Sequence, residues 1–149
     1  SAFDSPAITT DVIVGFPGET EEEFERTCSF LEKIGFYEMH IFKYSKRQGT
    51  RAAVMKDQVP DQLKTVRSNK LLALEKEQSK EFRSRYIGEE AEVLFEETKE
   101  LNGETFWVGH TSDYVKVALK TDENLSNCLK KVHVTAFLTD EILNCNSLD

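Results

Sequence analysis

Three groups of side chains in this 149-residue sequence have types and spacing that suit chemistry. The first is Gly15-Phe16-Pro17-Gly18-Glu19-Thr20, which follows the apolar run Val12-Ile13-Val14. Gly15 and Gly18 carry no side chain, so backbone N–H groups there can approach a ligand closely. Glu19 beside them either faces that ligand or only stabilises the start of the next helix. Asp11 is a charge inside the preceding strand and needs a basic partner if buried, or else a place at the strand start. The second group is Lys43, Lys46, Arg47 and Arg51, four cations within nine residues. It suits phosphates, and a planar guanidinium also takes a carboxylate in two-point fashion, although a solvated loop gives the same composition. The third is Trp107, His110, Tyr114 and Lys116. Aromatic rings and a cation at such spacing can stack a base and hold a phosphate. Trp107, the single tryptophan, fits a strand-face anchor equally well, and a lone histidine such as His110 is more often a surface residue than a catalytic one.

These groups need elements to position them. Residues 9–14 read as a strand that is buried on both faces, as in a parallel sheet. Thr20 caps the helix Glu21–Ile34, with Glu23 completing a capping box. Phe24, Cys28, Leu31 and Ile34 recur on one face of that helix, and Gly35 marks its stop. Residues 36–44 alternate as a second strand that ends at Tyr44 and Ser45. A polar loop follows over residues 45–60. A long helix then runs from Asp61 to about Tyr86, with Leu63, Val66, Leu71, Leu72, Leu74 and Phe82 as its apolar stripe. Its cations, among them Lys64, Arg67, Lys70 and Arg83, read as partners of interleaved glutamates on a wet face, with RNA contact as the alternative. Strand–helix–strand–helix with short connections implies a parallel sheet with right-handed crossovers. Beyond residue 87 the texture is all-β: segments at 91–96, 105–110, 114–118 and 131–137, separated by turn signals such as Asn102-Gly103, read as a small barrel or sandwich. The fold class is therefore α/β followed by all-β, with a boundary near residues 85–88. Two parallel strands cannot cover their own faces, so the first part reads as a piece of a larger barrel or as a surface that associates through its uncovered sheet edges.

Bulk properties narrow the function. The net charge of −8 lies entirely in residues 86–149, where five lysines face thirteen acidic residues. That balance argues against broad nonspecific nucleic-acid binding by this part. Cys28, Cys128 and Cys145 match neither a disulfide framework nor a metal-binding pair, so a reducing cytoplasm is the expected compartment. No membrane partner is expected, since no apolar run approaches the roughly 20 residues a span requires.

Residues 10–20 (Thr-Asp-Val-Ile-Val-Gly-Phe-Pro-Gly-Glu-Thr) and 42–53 (Phe-Lys-Tyr-Ser-Lys-Arg-Gln-Gly-Thr-Arg-Ala-Ala) resemble the last third of radical S-adenosylmethionine methylthiotransferases. Residues 108–117 (Val-Gly-His-Thr-Ser-Asp-Tyr-Val-Lys-Val) are similar to the TRAM domain, an OB-like barrel, that ends those enzymes. The three motifs stand in the family's order and spacing and cover nearly the whole chain. Ser45-Lys46-Arg47-Gln48-Gly49-Thr50 lacks the prolines that flank this arginine in another branch. It resembles the branch that adds a methylthio group to carbon 2 of N6-threonylcarbamoyladenosine at position 37 of tRNA, as does residues 55–59 (Met-Lys-Asp-Gln-Val).

The resemblance implies that residues 1–86 are the last two β-α units of a radical S-adenosylmethionine partial barrel, residues 87–145 a TRAM domain and residues 146–149 a tail. It implies S-adenosylmethionine as cofactor, contacted by Asp11, Ile13, Gly15, Phe16, Gly18, Glu19, Tyr44 and Ser45. Tyr44 reads equally as an aromatic packed under the loop. For the tRNA anticodon loop it implies Lys43, Lys46, Arg47 and Arg51, with Trp107, His110, Tyr114 and Lys116 in the β domain. The family's 4Fe-4S clusters depend on cysteine motifs that this sequence lacks. The chain then reads as the carboxyl-terminal fragment of such an enzyme, inactive without the missing N-terminal part and with no catalytic or metal-ligating residue of its own. The competing expectation is a stand-alone RNA- or protein-binding module built on the β domain.

Overall fold

In the computed structural model, which describes residues 6–148, Val12 and Val14 of strand β1 (Thr9–Val14) turn inward while Asp11 and Ile13 stay outside. β1 pairs in parallel with β2 (Glu38–Lys43), so that Val12 lies opposite Ile41, Ile13 opposite Phe42 and Asp11 opposite His40. The expectation of a strand covered on both faces is corrected here. Ile13 is 57% exposed and Phe42 52% exposed. The two-stranded sheet has one packed face and one open face, because the helices supply only one layer.

That packed face is covered by α1 (Glu21–Ile34) and α2 (Asp61–Ser84). Phe24, Cys28 and Leu31 of α1 join Val12, Val14, Phe36, Met39 and Leu71 in one core. The capping box forms as expected. Thr20 Oγ1 accepts from the Glu23 N–H at 3.2 Å, and Glu23 Oε2 accepts from the Thr20 N–H at 2.9 Å. The Thr20 amide and hydroxyl hold the Glu23 carboxyl below its ordinary pKa. Gly35 takes φ +69° and caps the other end, its N–H reaching the Leu31 carbonyl. Ile34, the last helical residue, lies outside the core that was expected to include it.

α2 holds a larger correction. Val66 is 64% and Leu72 48% exposed, whereas Lys64, Arg67 and Ser68 are buried. Leu71, fully buried, sets the phase, and residues three, four and seven positions earlier share its face. The aliphatic stems of lysine and arginine cover apolar surface there while their charged ends find partners. The wet-face assignment of Lys64 and Arg67, and of the buried Arg83 farther along the helix, is thus overturned. Helical turns continue past Ser84 through hydrogen bonds from Arg85, Tyr86 and Ile87.

Two compact units divide the chain, residues 1–79 and 80–149. In the second, β3 (Glu90–Leu101), β4 (Glu104–His110), β5 (Lys116–Leu119), β6 (Cys128–Phe137) and β7 (Leu143–Ser147) close into a barrel of order β3-β4-β5-β7-β6. All pairings are antiparallel except β5 with β7. Asn102 and Gly103 make the β3–β4 turn with φ of 53° and 81°, as a type I′ hairpin requires. β3 continues through Glu96–Glu100, where the sequence left the register open, and a bulge between Phe95 and Glu97 absorbs the irregularity. β7 is the one strand not read from sequence: Leu-Asn-Cys-Asn-Ser looks polar, yet Leu143 and Cys145 are buried. β7 extends to Ser147, into residues read as the tail. Residues 1–5 and Asp149, assigned to the first domain and the tail, lie outside the described residues.

Val93, Phe95, Val117, Val132, Val134 and Leu143 are fully buried in the barrel. A separate cluster joins Phe106, Val108, Ala118 and Ile142.

Candidate functional site

The glycine loop sits at the carboxyl end of β1, next to the end of β2, where α/β sheets place their ligands. The Tyr44 N–H donates to the Val14 carbonyl at 2.8 Å and ties the two strand ends together. Gly15 and Gly18 take φ of +72° and +88°, which side-chain-bearing residues rarely adopt. The Gly18 N–H donates to the Asp57 carbonyl at 2.7 Å, and the Glu19 N–H to the Phe16 carbonyl at 2.9 Å. Phe16 meets Tyr44 edge to face with ring centroids 5.3 Å apart. The Tyr44 hydroxyl is buried without a hydrogen-bond partner among the described residues.

The two glycines differ in what surrounds them. A Cβ on Gly15 would come within 2.3 Å of Lys64 Cγ, whereas nothing lies within 4 Å of one on Gly18. The bare surface at Gly15 is thus filled by the chain's own lysine stem, and only Gly18 offers free space. Glu19 is internally engaged. Its Oε1 accepts from the Gly15 N–H at 2.9 Å and from Arg67 Nη1 at 2.5 Å. Asp11 and Ile13 lie on the exposed side of β1, in register with His40 and Phe42. Ser45 is exposed beyond the end of β2.

The basic group is partly convergent. The Asp61 carboxyl is held below its ordinary pKa first by the Lys64 ammonium, which bonds to it at 3.0 Å, and further by Lys43 and Lys46. Lys43 Nζ donates to Thr65 Oγ1 at 3.4 Å, and Lys64 Nζ stands 5.6 Å from the Tyr44 ring centroid. Arg47 and Arg51 are exposed. The Arg47 carbonyl accepts from the Thr50 hydroxyl at 2.8 Å, and Arg51 precedes a 3-10 turn at Ala52–Val54.

In the barrel the structure separates the four candidates. His110, Tyr114 and Lys116 line one concavity of about 300 Å³ together with Glu96, Glu97 and Lys99. Trp107 lines another, with Glu104, Thr105, Lys120, Thr121 and Asp122. His110 and Tyr114 stack at 5.1 Å with 20° between their planes, and His110 Nδ1 is 3.1 Å from Glu96 Oε2. Tyr114 is 73% exposed at φ 62°, an uncommon conformation for a residue with a side chain. It is held there by its own N–H to the Thr111 carbonyl, beside the Val115 N–H to Thr111 Oγ1 at 3.2 Å. The Tyr86 hydroxyl bonds to Asp113 in the same turn.

Sequence reading missed Lys64 and Arg67 as parts of the loop's support. The signal was available in their spacing of seven and four residues before Leu71. Among the described residues no group of three or more His, Cys, Asp or Glu is placed to hold a metal ion. Burial pushes the Cys145 thiol up to about 12 and also raises that of Cys28, so neither is a ready thiolate. No described helix is long and apolar enough to cross a membrane.

No family model matches the sequence. Curated proteins do. The chain is 46% identical over 129 residues to the threonylcarbamoyladenosine tRNA methylthiotransferase MtaB of Bacillus subtilis, covering 86% of this chain and 29% of that protein. It is homologous to tRNA methylthiotransferases. Two tRNA-2-methylthio-N(6)-dimethylallyladenosine synthases are also similar. That of Acetivibrio thermocellus is 42% identical over 133 residues, 89% of this chain and 28% of that protein. That of Aquifex aeolicus is 44% identical over 128 residues, 86% and 28%. The chain thus spans less than a third of the length of these methylthiotransferases.

Proposed function

We propose that this chain is the carboxyl-terminal portion of a cytoplasmic radical S-adenosylmethionine enzyme that adds a methylthio group to carbon 2 of N6-threonylcarbamoyladenosine at position 37 of tRNA. The observation that carries the choice of substrate is the Ser45-Lys46-Arg47-Gln48-Gly49-Thr50 loop, together with 46% identity to a relative named for that nucleoside. The two exposed arginines in the loop after β2, Arg47 and Arg51, supply planar, two-point donors of the kind that suits a threonyl carboxylate or an RNA phosphate.

The open face of the β1–β2 sheet supports the reading of a partial barrel. Its Ile13–Phe42 pair is the apolar surface that further strands of a longer protein would cover. The barrel's order, with β5 and β7 parallel, supports an OB-like TRAM domain whose His110–Tyr114 stack faces RNA bases. Glu96 and Glu97 beside that stack keep the phosphate-binding share of this surface small.

The loop fits a nucleoside cofactor on one side only. Phe16, Gly18, Tyr44 and Ser45 would hold S-adenosylmethionine, with the orphaned Tyr44 hydroxyl as a donor; the Lys64 stem takes the space at Gly15. Bound S-adenosylmethionine would supply the radical chemistry. The cysteines do not fit an iron–sulfur cluster, since Cys28 sits in the α/β core and Cys145 in the barrel. The cluster ligands therefore belong to the rest of the enzyme, and the 149 residues are inactive alone.

Expression of the gene product that contains this chain in a Bacillus subtilis strain lacking its own threonylcarbamoyladenosine methylthiotransferase tests this. Digested tRNA should regain 2-methylthio-N6-threonylcarbamoyladenosine by mass spectrometry. Absence of that nucleoside, with the protein expressed, contradicts the assignment.

A further inference from the structure

Arg67 is only 2% exposed, and its guanidinium holds three acceptors at once. Nη1 donates to Glu19 Oε1 at 2.5 Å and to the Glu19 carbonyl at 3.1 Å, and Nη2 donates to Glu21 Oε2 at 3.0 Å. The group lies over the Phe24 ring, 5.2 Å from its centroid. Glu19 Oε1 also accepts the Gly15 N–H. A single carboxylate oxygen thereby joins the first residue of the glycine loop to a helix 48 residues later in the chain.

A loop with glycines at φ +72° and +88° does not select its own shape, because glycine populates many conformations at similar cost. It acquires one shape from the groups that hold it, and a preformed loop loses less entropy when its ligand arrives. We infer that Arg67 is a positioning residue: through Glu19 it fixes the Gly15 N–H and the path of residues 15–19 ahead of ligand binding. The inference rests on the reading that this loop receives S-adenosylmethionine. Lysine cannot replace Arg67 here, since one ammonium does not reproduce the fork that spans the Glu19 carboxylate, the Glu19 carbonyl and Glu21.

A purely structural Arg67 would only fasten α1 to α2, and its loss would loosen all of α1 equally. Amide hydrogen exchange of the full 149-residue chain separates the two roles. In Arg67→Met the Gly15 and Glu19 amides should exchange at least about tenfold faster while those of Phe24 and Leu31 hold their wild-type rates. Rates for Gly15 within about twofold of wild type, or an equal rise at Gly15, Phe24 and Leu31, would overturn the inference. Should the single variant not fold, Glu19→Gln/Arg67→Met removes the stranded carboxylate and is read in the same way. In the enzyme containing this chain, Arg67→Met should weaken S-adenosylmethionine binding about tenfold with turnover at saturating cofactor retained. Faster Gly15 exchange with unchanged cofactor affinity would uphold the positioning role and overturn the cofactor reading of the loop.

Discussion

Gly109→Ala is expected to destabilise the barrel by about 3 kcal/mol. A Cβ at this position would lie 2.1 Å from the Leu94 carbonyl oxygen and 2.7 Å from Phe95 Cα. These are backbone atoms of β3, so no side-chain rotation relieves the clash. Gly109 pairs with Phe95 at the point where β3 bulges before Glu97. The added methyl must therefore part β3 from β4 and break the ladder beside a fully buried phenylalanine. Urea unfolding followed by the fluorescence of Trp107, on β4, reads this directly. Gly103→Ala is the matched control. Nothing lies within 4 Å of its Cβ, so only its φ of +81° opposes the change and the cost should be about 1 kcal/mol. Equal costs for the two substitutions would refute the steric account of Gly109.

Leu71→Ala should cost the α/β unit about 2–5 kcal/mol. Leu71 is the fully buried apolar residue of α2 in a core otherwise built from β1, α1, β2 and Phe36. Lys64 and Arg67 attach the same helix face by stems and polar ends, which do not fill the void that a lost isobutyl group leaves. Val66→Ala, by contrast, should change stability by less than about 0.5 kcal/mol, because its side chain faces water. Hydrogen exchange resolved by peptide is the measurement. Protection should fall across β1, α1 and β2 in Leu71→Ala and stay at wild-type level in β3–β7. A larger effect from Val66 than from Leu71 would show that the helix phase is wrong.

Where local chemistry and burial agree, the sequence was legible. The capping box at Thr20–Glu23, the αL stop at Gly35 and the Asn102-Gly103 hairpin each follow from a residue type with one strong conformational preference. α2 was legible in extent but not in phase. Its buried face is carried by Lys64, Arg67 and Ser68, which a reading by hydrophobicity assigns to water. β7 escaped notice for a related reason: Asn144 and Asn146 interrupt it, and its burial comes from pairing with β5 and β6, which lie far away in sequence. At the candidate site, sequence spacing placed the glycine loop beside Tyr44 and grouped His110 with Tyr114 and Lys116. It could not separate Trp107 from them, because strand register and barrel closure decide which concavity each residue lines. Nor could it reveal that Glu19 points back to Gly15 and Arg67, a pairing made across 48 residues.

The proposed substrate of the enzyme that contains this chain is N6-threonylcarbamoyladenosine in tRNA. The most direct measurement is a competition in which the purified enzyme containing this chain receives S-adenosylmethionine, a reductant and two tRNAs. One carries N6-threonylcarbamoyladenosine at position 37 and the other N6-dimethylallyladenosine. Methylthiolation of the first should exceed that of the second by at least about tenfold, because the exposed Arg47 and Arg51 guanidiniums would gain charge-assisted hydrogen bonds to the threonyl carboxylate that an apolar tail cannot offer. Equal modification of the two tRNAs, or preference for the dimethylallyl substrate, would contradict the account.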